Sequence, residues 1–249
     1  DNNSASAARE PMQVVVRGPS LTQLFLGQTM SLTMGILVTF GLLIFLLASG
    51  DALLRQAVTI ADADGRIFRL VWGDELHQDV RQLPDRPIRL AHVVLNSRHV
   101  EASRQFLEQV FDFSLSDRTR IMAFMRCNSD HHSLALGDTD NDALNHIAFL
   151  MPDLDSVMRG GGRMKDAGYA IEWGPGRHGP GNNAFNYFIG PFDVVIEYTA
   201  EVAQIDDGYR TGQPADWSWP AGRVDHWGIS SPPSPRLKEA QKAIQFSQP

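Results

Sequence analysis

The strongest constraint on this chain is that its sequence states one pattern twice. Residues 90–95 read L-A-H-V-V-L and residues 144–149 read L-N-H-I-A-F, so His92 and His146 take the same place in two copies 54 residues apart. Each copy opens on a β-branched, apolar strand (88–96 and 143–151) and continues into a segment of helical period. The first helix is expected over 100–113, with Phe106, Leu107, Val110 and Phe111 on one stripe. The second is expected over 153–168, with Leu154, Val157, Met158 and Met164 apolar and Gly168 ending it. Further strands follow each helix, at 119–126 and 132–136 in the first copy and at 183–188 and 192–198 in the second. The plan is βαβββ, used twice, in an α+β domain. A repeat of this size implies one supersecondary unit whose apolar face only its partner copy can cover.

The flanks are less regular. Residues 58–73 (VTIADADGRIFRLVWG) read as a hairpin around an Asp-Ala-Asp-Gly turn. Its segment ADADGRIFRLVW resembles the closing hairpin FIGPFDVVIEYT, with Leu70 where the latter has Glu197. Residues 12–73 are therefore expected to hold the remnant of an earlier, incomplete module pair. Residues 74–89 are polar and carry Pro84 and Pro87, which suits an exposed connection with a boundary near residue 85. The expected organisation is a shortened N-terminal domain (1–84), a metal-binding domain (85–205) and a C-terminal arm (206–249) with a short helix at 237–244. Residues 30–48 are almost wholly apolar, and no charge falls between Arg17 and Asp51. That run approaches the roughly 20 residues a bilayer span needs. It is too long and starts too late for a cleavable signal peptide. Two expectations follow: a membrane anchor, or a buried segment of a cytoplasmic protein, the latter favoured by the diluting Thr29, Ser31, Thr33, Gly35, Thr39 and Gly41.

Composition narrows the chemistry. Lys and Arg total 22 against 29 Asp and Glu, a formal charge of -7, which is opposite to what phosphate neutralisation requires and argues against nucleic acid as a partner. A single cysteine, Cys127, excludes an internal disulfide and a cysteine-based zinc site, so any metal must be held by His and carboxylate. Paired modules bring His92 and His146 to a shared cavity. Strand alternation puts Glu197 on the same side as Val195, opposite Val194 and Ile196, so its carboxylate faces a part-apolar interior where a cation would offset the cost of burial. Two His and one carboxylate with open positions form the facial triad of non-haem Fe(II) oxygenases.

These segments resemble the type I extradiol ring-cleavage dioxygenases of the vicinal oxygen chelate superfamily. The resemblance implies metal ligands at His92 (R-L-A-H-V-V), His146 (L-N-H-I-A-F) and Glu197 (V-I-E-Y-T), with Fe(II), or Mn(II), as the cofactor and O2 as co-substrate. It implies an acid/base histidine at His132 in C-N-S-D-H-H-S-L-A. Alternation by itself says only that one of His131 and His132 faces inward. It also implies substrate contacts from His178 and Asn182 in G-P-G-R-H-G-P-G-N-N, and a catalytic tyrosine at Tyr187 in F-N-Y-F. The resemblance is good over residues 86–210 and looser over 14–73, where the family's N-terminal domain looks shortened. A small aromatic diol is the implied substrate, cleaved beside its two hydroxyls. Apolar surface left by the short first domain would favour a homo-oligomer. Asp193 is assigned to turn chemistry, and His77, His99 and His226 are set aside as ligands, with His226 placed to cover the site. Two rivals are a glyoxalase-like isomerase or lyase of the same superfamily, better served by four ligands, and a non-catalytic protein that binds aromatic compounds.

Overall fold

The computed structural model describes residues 59–70 and 82–246. All of them belong to one unit, made of Val58–Leu70 and Glu75–Pro249. The apolar run 30–48 lies outside the described residues, and among those described no helix is long and apolar enough to cross a membrane.

Both copies of the repeat form βαβββ. The first is β3 (Arg89–Ser97), α1 (Val100–Phe111), β4 (Ser114–Arg118), β5 (Met122–Arg126) and β6 (Leu134–Asp138). The second is β7 (Ala143–Leu150), α2 (Leu154–Asp166), β8 (Trp173–Arg177), β9 (Ala184–Ile189) and β10 (Val195–Ala200). The eight strands join in one sheet in the order β4-β5-β6-β3-β7-β10-β9-β8. At its centre β3 and β7 run antiparallel, pairing His92 with Ala148, Val93 with Ile147 and Val94 with His146. This register is a local twofold that exchanges the two histidines. The last strand of each copy then lies parallel to its first, β6 on β3 and β10 on β7.

Alternation divides each strand between two faces. The first helix side is built by Leu95, Val100, Leu107, Ala123, Met125 and Leu136. The second is built by Met151, Val157, Met164, Phe188, Tyr198 and Ala200. The opposite face of the sheet carries Val94, Phe124 and Ala135 from one copy and Phe185, Tyr187 and Val195 from the other. In α2 the Asp153 side chain accepts from the Ser156 N–H at 2.7 Å, an N-cap worth about 1 kcal/mol. A Cβ on Gly160 would lie 2.8 Å from Met151 and 2.9 Å from Tyr198, so this glycine lets the helix sit close on the sheet. Val110 and Met158 depart from the expected stripes. They are 44% and 48% exposed, because each helix buries a narrower face than its apolar spacing suggested.

Three further differences have physical causes. The sequence pattern missed β4, which is polar (Ser-Leu-Ser-Asp-Arg) yet paired with β5. It read residues 174–183 (G-P-G-R-H-G-P-G-N-N) as a Gly/Pro-rich loop, whereas Trp173–Arg177 form edge strand β8 with an irregular register against β9. The hairpin, β1 (Thr59–Ala61) with β2 (Ile67–Arg69), was expected in a separate N-terminal domain but is part of this unit. Its Arg66 reaches the Asn96 carbonyl and Ser103 Oγ, both at 2.8 Å, and Phe68 packs against Phe106 and Phe111. The C-terminal arm packs along the sheet. It ends in α3 (Pro235–Ala243), whose Leu237 and Ala240 pack with Phe185, Tyr187, Ile189 and Val195, and in the short β11 (Ile244–Gln245), which pairs with β7.

Candidate metal centre

The central register decides where the site is. His92 and His146 project from β3 and β7 on the face away from the helices, and Glu197 joins them from β10, where it sits opposite Ala148. One donor atom from each of the three lies within 4.8 Å of the other two, and all three residues are buried. Convergence of the predicted ligands is thus observed. The same register shows what is missing from the first copy. Ala148 is the twofold counterpart of Val94, and Val94 pairs with Ala135 on β6. Ala135, fully buried, therefore stands where a symmetric site would carry a second glutamate.

The hydrogen bonding fits a cation. His146 Nδ1–H donates to Asn145 Oδ1 at 2.8 Å, because an amide oxygen only accepts. That leaves His146 Nε2 as a bare lone pair 3.1 Å from Glu197 Oε2, itself an acceptor. His92 Nε2 lies 3.1 Å from the same oxygen. His92 Nδ1 and His146 Nε2 are buried with no hydrogen-bond partner among the described residues. The His146 lone pair, aimed at a carboxylate with no proton between them, is an arrangement that a divalent cation would hold together. The other oxygen, Glu197 Oε1, accepts from Asn183 Nδ2 at 3.2 Å. Burial alone would raise the Glu197 carboxyl, but the His92 and His146 imidazoles outweigh it and keep it well below the usual carboxylate range.

Around this centre stand the remaining expected residues. The His132 ring lies 4.2 Å from the His92 ring, with Phe124 edge-on at 5.2 Å. Burial, then the neighbouring His92 and His131, hold its pKa well below that of a free imidazole. His178 Nε2 lies 3.1 Å from the Tyr187 hydroxyl. Its side chain keeps 24% of its surface exposed, yet its surroundings push its pKa down to about 4, chiefly by burial. Tyr187 sits opposite Glu197 in the β9–β10 register. Burial and the Glu197 charge raise its pKa well above the ordinary value, so it is a neutral phenol. Trp173 stacks on Tyr187 at 5.0 Å.

Asn182, expected to contact substrate, is exposed on a turn with φ of +48°, and the next residue, buried Asn183, reaches Glu197. The phase of β9 carried that signal, since Asn183, Phe185 and Tyr187 alternate on one face. His131 was expected to face away from His132 in a strand. The pair instead precedes β6, both rings are buried, and their Nδ1 atoms lie 3.1 Å apart. Asn145, Asp117 and Tyr209 went unnoticed in the sequence because their roles depend on contacts between distant segments. His226 lies edge-on to Trp219 at 5.4 Å, and its N–H donates to the Arg177 carbonyl.

Comparisons with known proteins agree with this geometry. Residues 89–198 match the family model described as Glyoxalase/Bleomycin resistance protein/Dioxygenase superfamily. Metapyrocatechase 2 of Cupriavidus necator is 36% identical over 139 residues, 55% of this chain and 41% of that protein. The Mn(II)-bound glyoxalase of Novosphingobium aromaticivorans superposes with a TM-score of 0.63 at 35% identity, covering 72% of this chain and 59% of that one. An extradiol ring-cleaving dioxygenase from B. fuscum shares the fold at 21% identity and a TM-score of 0.57, over 62% of this chain and 47% of that one. The chain thus spans between two fifths and three fifths of the length of these relatives. In its repeated modules and its buried His-His-Glu cluster, the segment 89–198 is similar to the Glyoxalase/Bleomycin resistance protein/Dioxygenase superfamily.

Proposed function

We propose that this protein is an Fe(II)-dependent extradiol dioxygenase that opens the ring of a catechol-type diol. The observation that carries the reading is the asymmetry of the centre: three donors converge, and the twofold position of a fourth is Ala135. Three protein ligands leave about three coordination positions, matching the two oxygens of a catechol and one dioxygen. His92, His146 and Glu197 would hold the metal. Fe(II) bound there would acidify the diol and provide a path for electrons from the diol to dioxygen.

The chain's other residues have distinct tasks. His132 stays neutral at working pH, so it can accept a proton from the diol and later return it to the departing oxygen. Tyr187 keeps its proton and donates a hydrogen bond to a bound oxygen, held in place by His178 and by stacking on Trp173. His178, also neutral, can bond the substrate on the side opposite His132. Phe124 and Phe185 supply apolar walls for an aromatic ring. Kinship with a protein named metapyrocatechase supports the diol as substrate.

A second reading is a metal-dependent isomerase, favoured by the likeness to the Mn(II)-bound glyoxalase. Anaerobic reconstitution with Fe(II) followed by catechol and air separates the two. Ring cleavage yields a yellow semialdehyde with one O2 consumed per catechol. Metal bound in full without colour or oxygen uptake, but with isomerisation of a hemithioacetal, would establish the rival.

A further inference from the structure

Outside the metal cluster, one buried charge has no part in the chemistry assigned so far. Asp117, on β4, is completely buried. Its Oδ2 lies 2.7 Å from His131 Nε2. Its Oδ1 accepts from the Gly212 N–H at 2.7 Å, and both oxygens lie 3.2 Å from the Tyr209 hydroxyl. Gly212 and Tyr209 belong to the C-terminal arm, which pairs with β4 here through Asp117 and Gly212. A Cβ on residue 212 would lie 2.5 Å from Asp117 Oδ1, so the approach of this N–H to the carboxylate requires glycine. His131 is held as firmly, its own N–H donating to the Ala203 carbonyl at 2.8 Å. Its ring touches His132 through the two Nδ1 atoms, 3.1 Å apart.

We infer that Asp117 and His131 are positioning residues that fix His132 as the tautomer protonated on Nδ1, leaving its Nε2 lone pair free to take a proton. The inference rests on the proposed role of His132 and follows from donor counting. A carboxylate that receives the Gly212 amide and the Tyr209 hydroxyl is an acceptor, so His131 carries its proton on Nε2. A neutral His131 then presents a bare Nδ1. Two facing nitrogens share one proton, which must come from His132. The logic is that of a serine-protease triad, where a buried aspartate selects the tautomer of a histidine without itself gaining the proton. In this chain the selection passes through a second imidazole, and the arm anchors the aspartate.

The test uses the full chain carrying 15N-labelled histidine and loaded with Zn(II), a diamagnetic ion that accepts the same donors. Imidazole 15N spectra should show His132 protonated on Nδ1 and bare on Nε2, with His131 the reverse. In Asp117→Asn the new amide can donate to His131 Nε2, which should reverse both rings. With Fe(II) in place of Zn(II), that variant should lose about 100- to 10,000-fold in kcat on catechol while its iron content and KM hold steady. His131→Leu should leave His132 in a mixture of tautomers. Adding Asp117→Asn to His131→Leu should change kcat by less than about threefold, whereas an aspartate that merely holds the arm would act additively. His132 protonated on Nε2 in the wild type, or unchanged in Asp117→Asn, overturns the inference. If Asp117→Asn does not fold, an unchanged single tautomer in His131→Leu overturns it instead. Tautomers as stated in a protein whose iron form leaves catechol intact would support the positioning pair and defeat the ring-cleavage reading.

Discussion

The two βαβββ copies share strand order, helix placement and a twofold register, yet they fill the same positions with different chemistry. The second contributes His146 and Glu197 to the candidate metal centre, while the first contributes His92 and has Ala135 at the place of the glutamate. His146 has a hydrogen-bond partner for its outer nitrogen in Asn145, whereas the equivalent residue beside His92 is Ala91 and His92 Nδ1 is unpartnered among the described residues. On the first copy's side stand His132 and Phe124, and on the second's stand His178 and Tyr187. Duplication can explain why a cavity exists at the seam. Unequal filling explains why the centre has an open side, because a fully symmetric seam would surround a cation with four donors.

The comparison is broken most severely by removing the one carboxylate. Glu197→Ala should reduce metal affinity by more than about 100-fold and abolish turnover, as read by metal analysis after dialysis. Retention of stoichiometric metal would place the centre elsewhere. The converse change, Ala135→Glu, would make the copies alike. This position is fully buried beside Val94 and Phe124, so overpacking and an unpaired carboxylate should destabilise the metal-free chain. Metal should restore it, giving a larger rise in Tm on metal addition than in the wild type, with ring cleavage lost because the open side is filled. Undiminished oxygen uptake by Ala135→Glu would refute the account of the vacant coordination positions.

Next in size is the effect of the acid/base group proposed for the first copy. His132→Ala should keep the metal and slow kcat by about 100- to 10,000-fold, which separates it from His146→Ala, where metal itself is lost. An equal loss of metal in the two variants would make His132 a ligand.

Acid should then weaken both copies together. Burial lowers the pKa of His132, His146 and His178, the last to about 4, from the 6.5 of a free imidazole. Below about pH 6.5 the unfolded chain therefore takes up protons that the folded chain refuses. The stability contributed by these neutral rings is complete above that pH and is lost as pH falls toward about 4. Glu197, lowered from 4.5, acts in the same sense further down. The urea midpoint of the metal-free chain should fall steadily between pH 7 and pH 5, and a flat profile would mean that the rings protonate freely in the fold.

Much of this was legible in the sequence because repetition and strand period are local signals. His92 and His146 identify each other by matched context, and the alternation Val195–Glu197 fixes the carboxylate's face. Elements that lack an apolar period escaped, such as polar β4 and glycine-rich β8, which are strands only because a neighbour supplies the ladder. The side chains that tune the site escaped for a related reason. Asp117 meets residues from 131, 209 and 212, and no spacing rule links them. The Asn182–Asn183 choice turned on one residue of phase at a strand start, where glycines on either side erase the period.

The smallest predicted effect tests whether the copies differ in how they orient their histidines. Asn145 Oδ1 accepts from His146 Nδ1 while Asn145 Nδ2 donates to Asn96 Oδ1 at 2.8 Å, and Asn96 in turn donates to the carbonyl of Gln241 on α3. The His146 ring of the second copy is therefore tied, through two amides, to the C-terminal helix. Removing such an outer partner typically costs about 10- to 100-fold in metal affinity, since the ring loses both its fixed tautomer and some of its basicity. Asn145→Ala should fall near the lower end of that range, because the neighbouring strands still constrain the imidazole, and competition with a chelator would measure it. Ala91 is already what that variant would create beside His92, so Ala91→Ser should move affinity little in either direction. A loss in Ala91→Ser as large as in Asn145→Ala would mean that both rings need the same orientation, and that the asymmetry of the centre lies in its carboxylate alone.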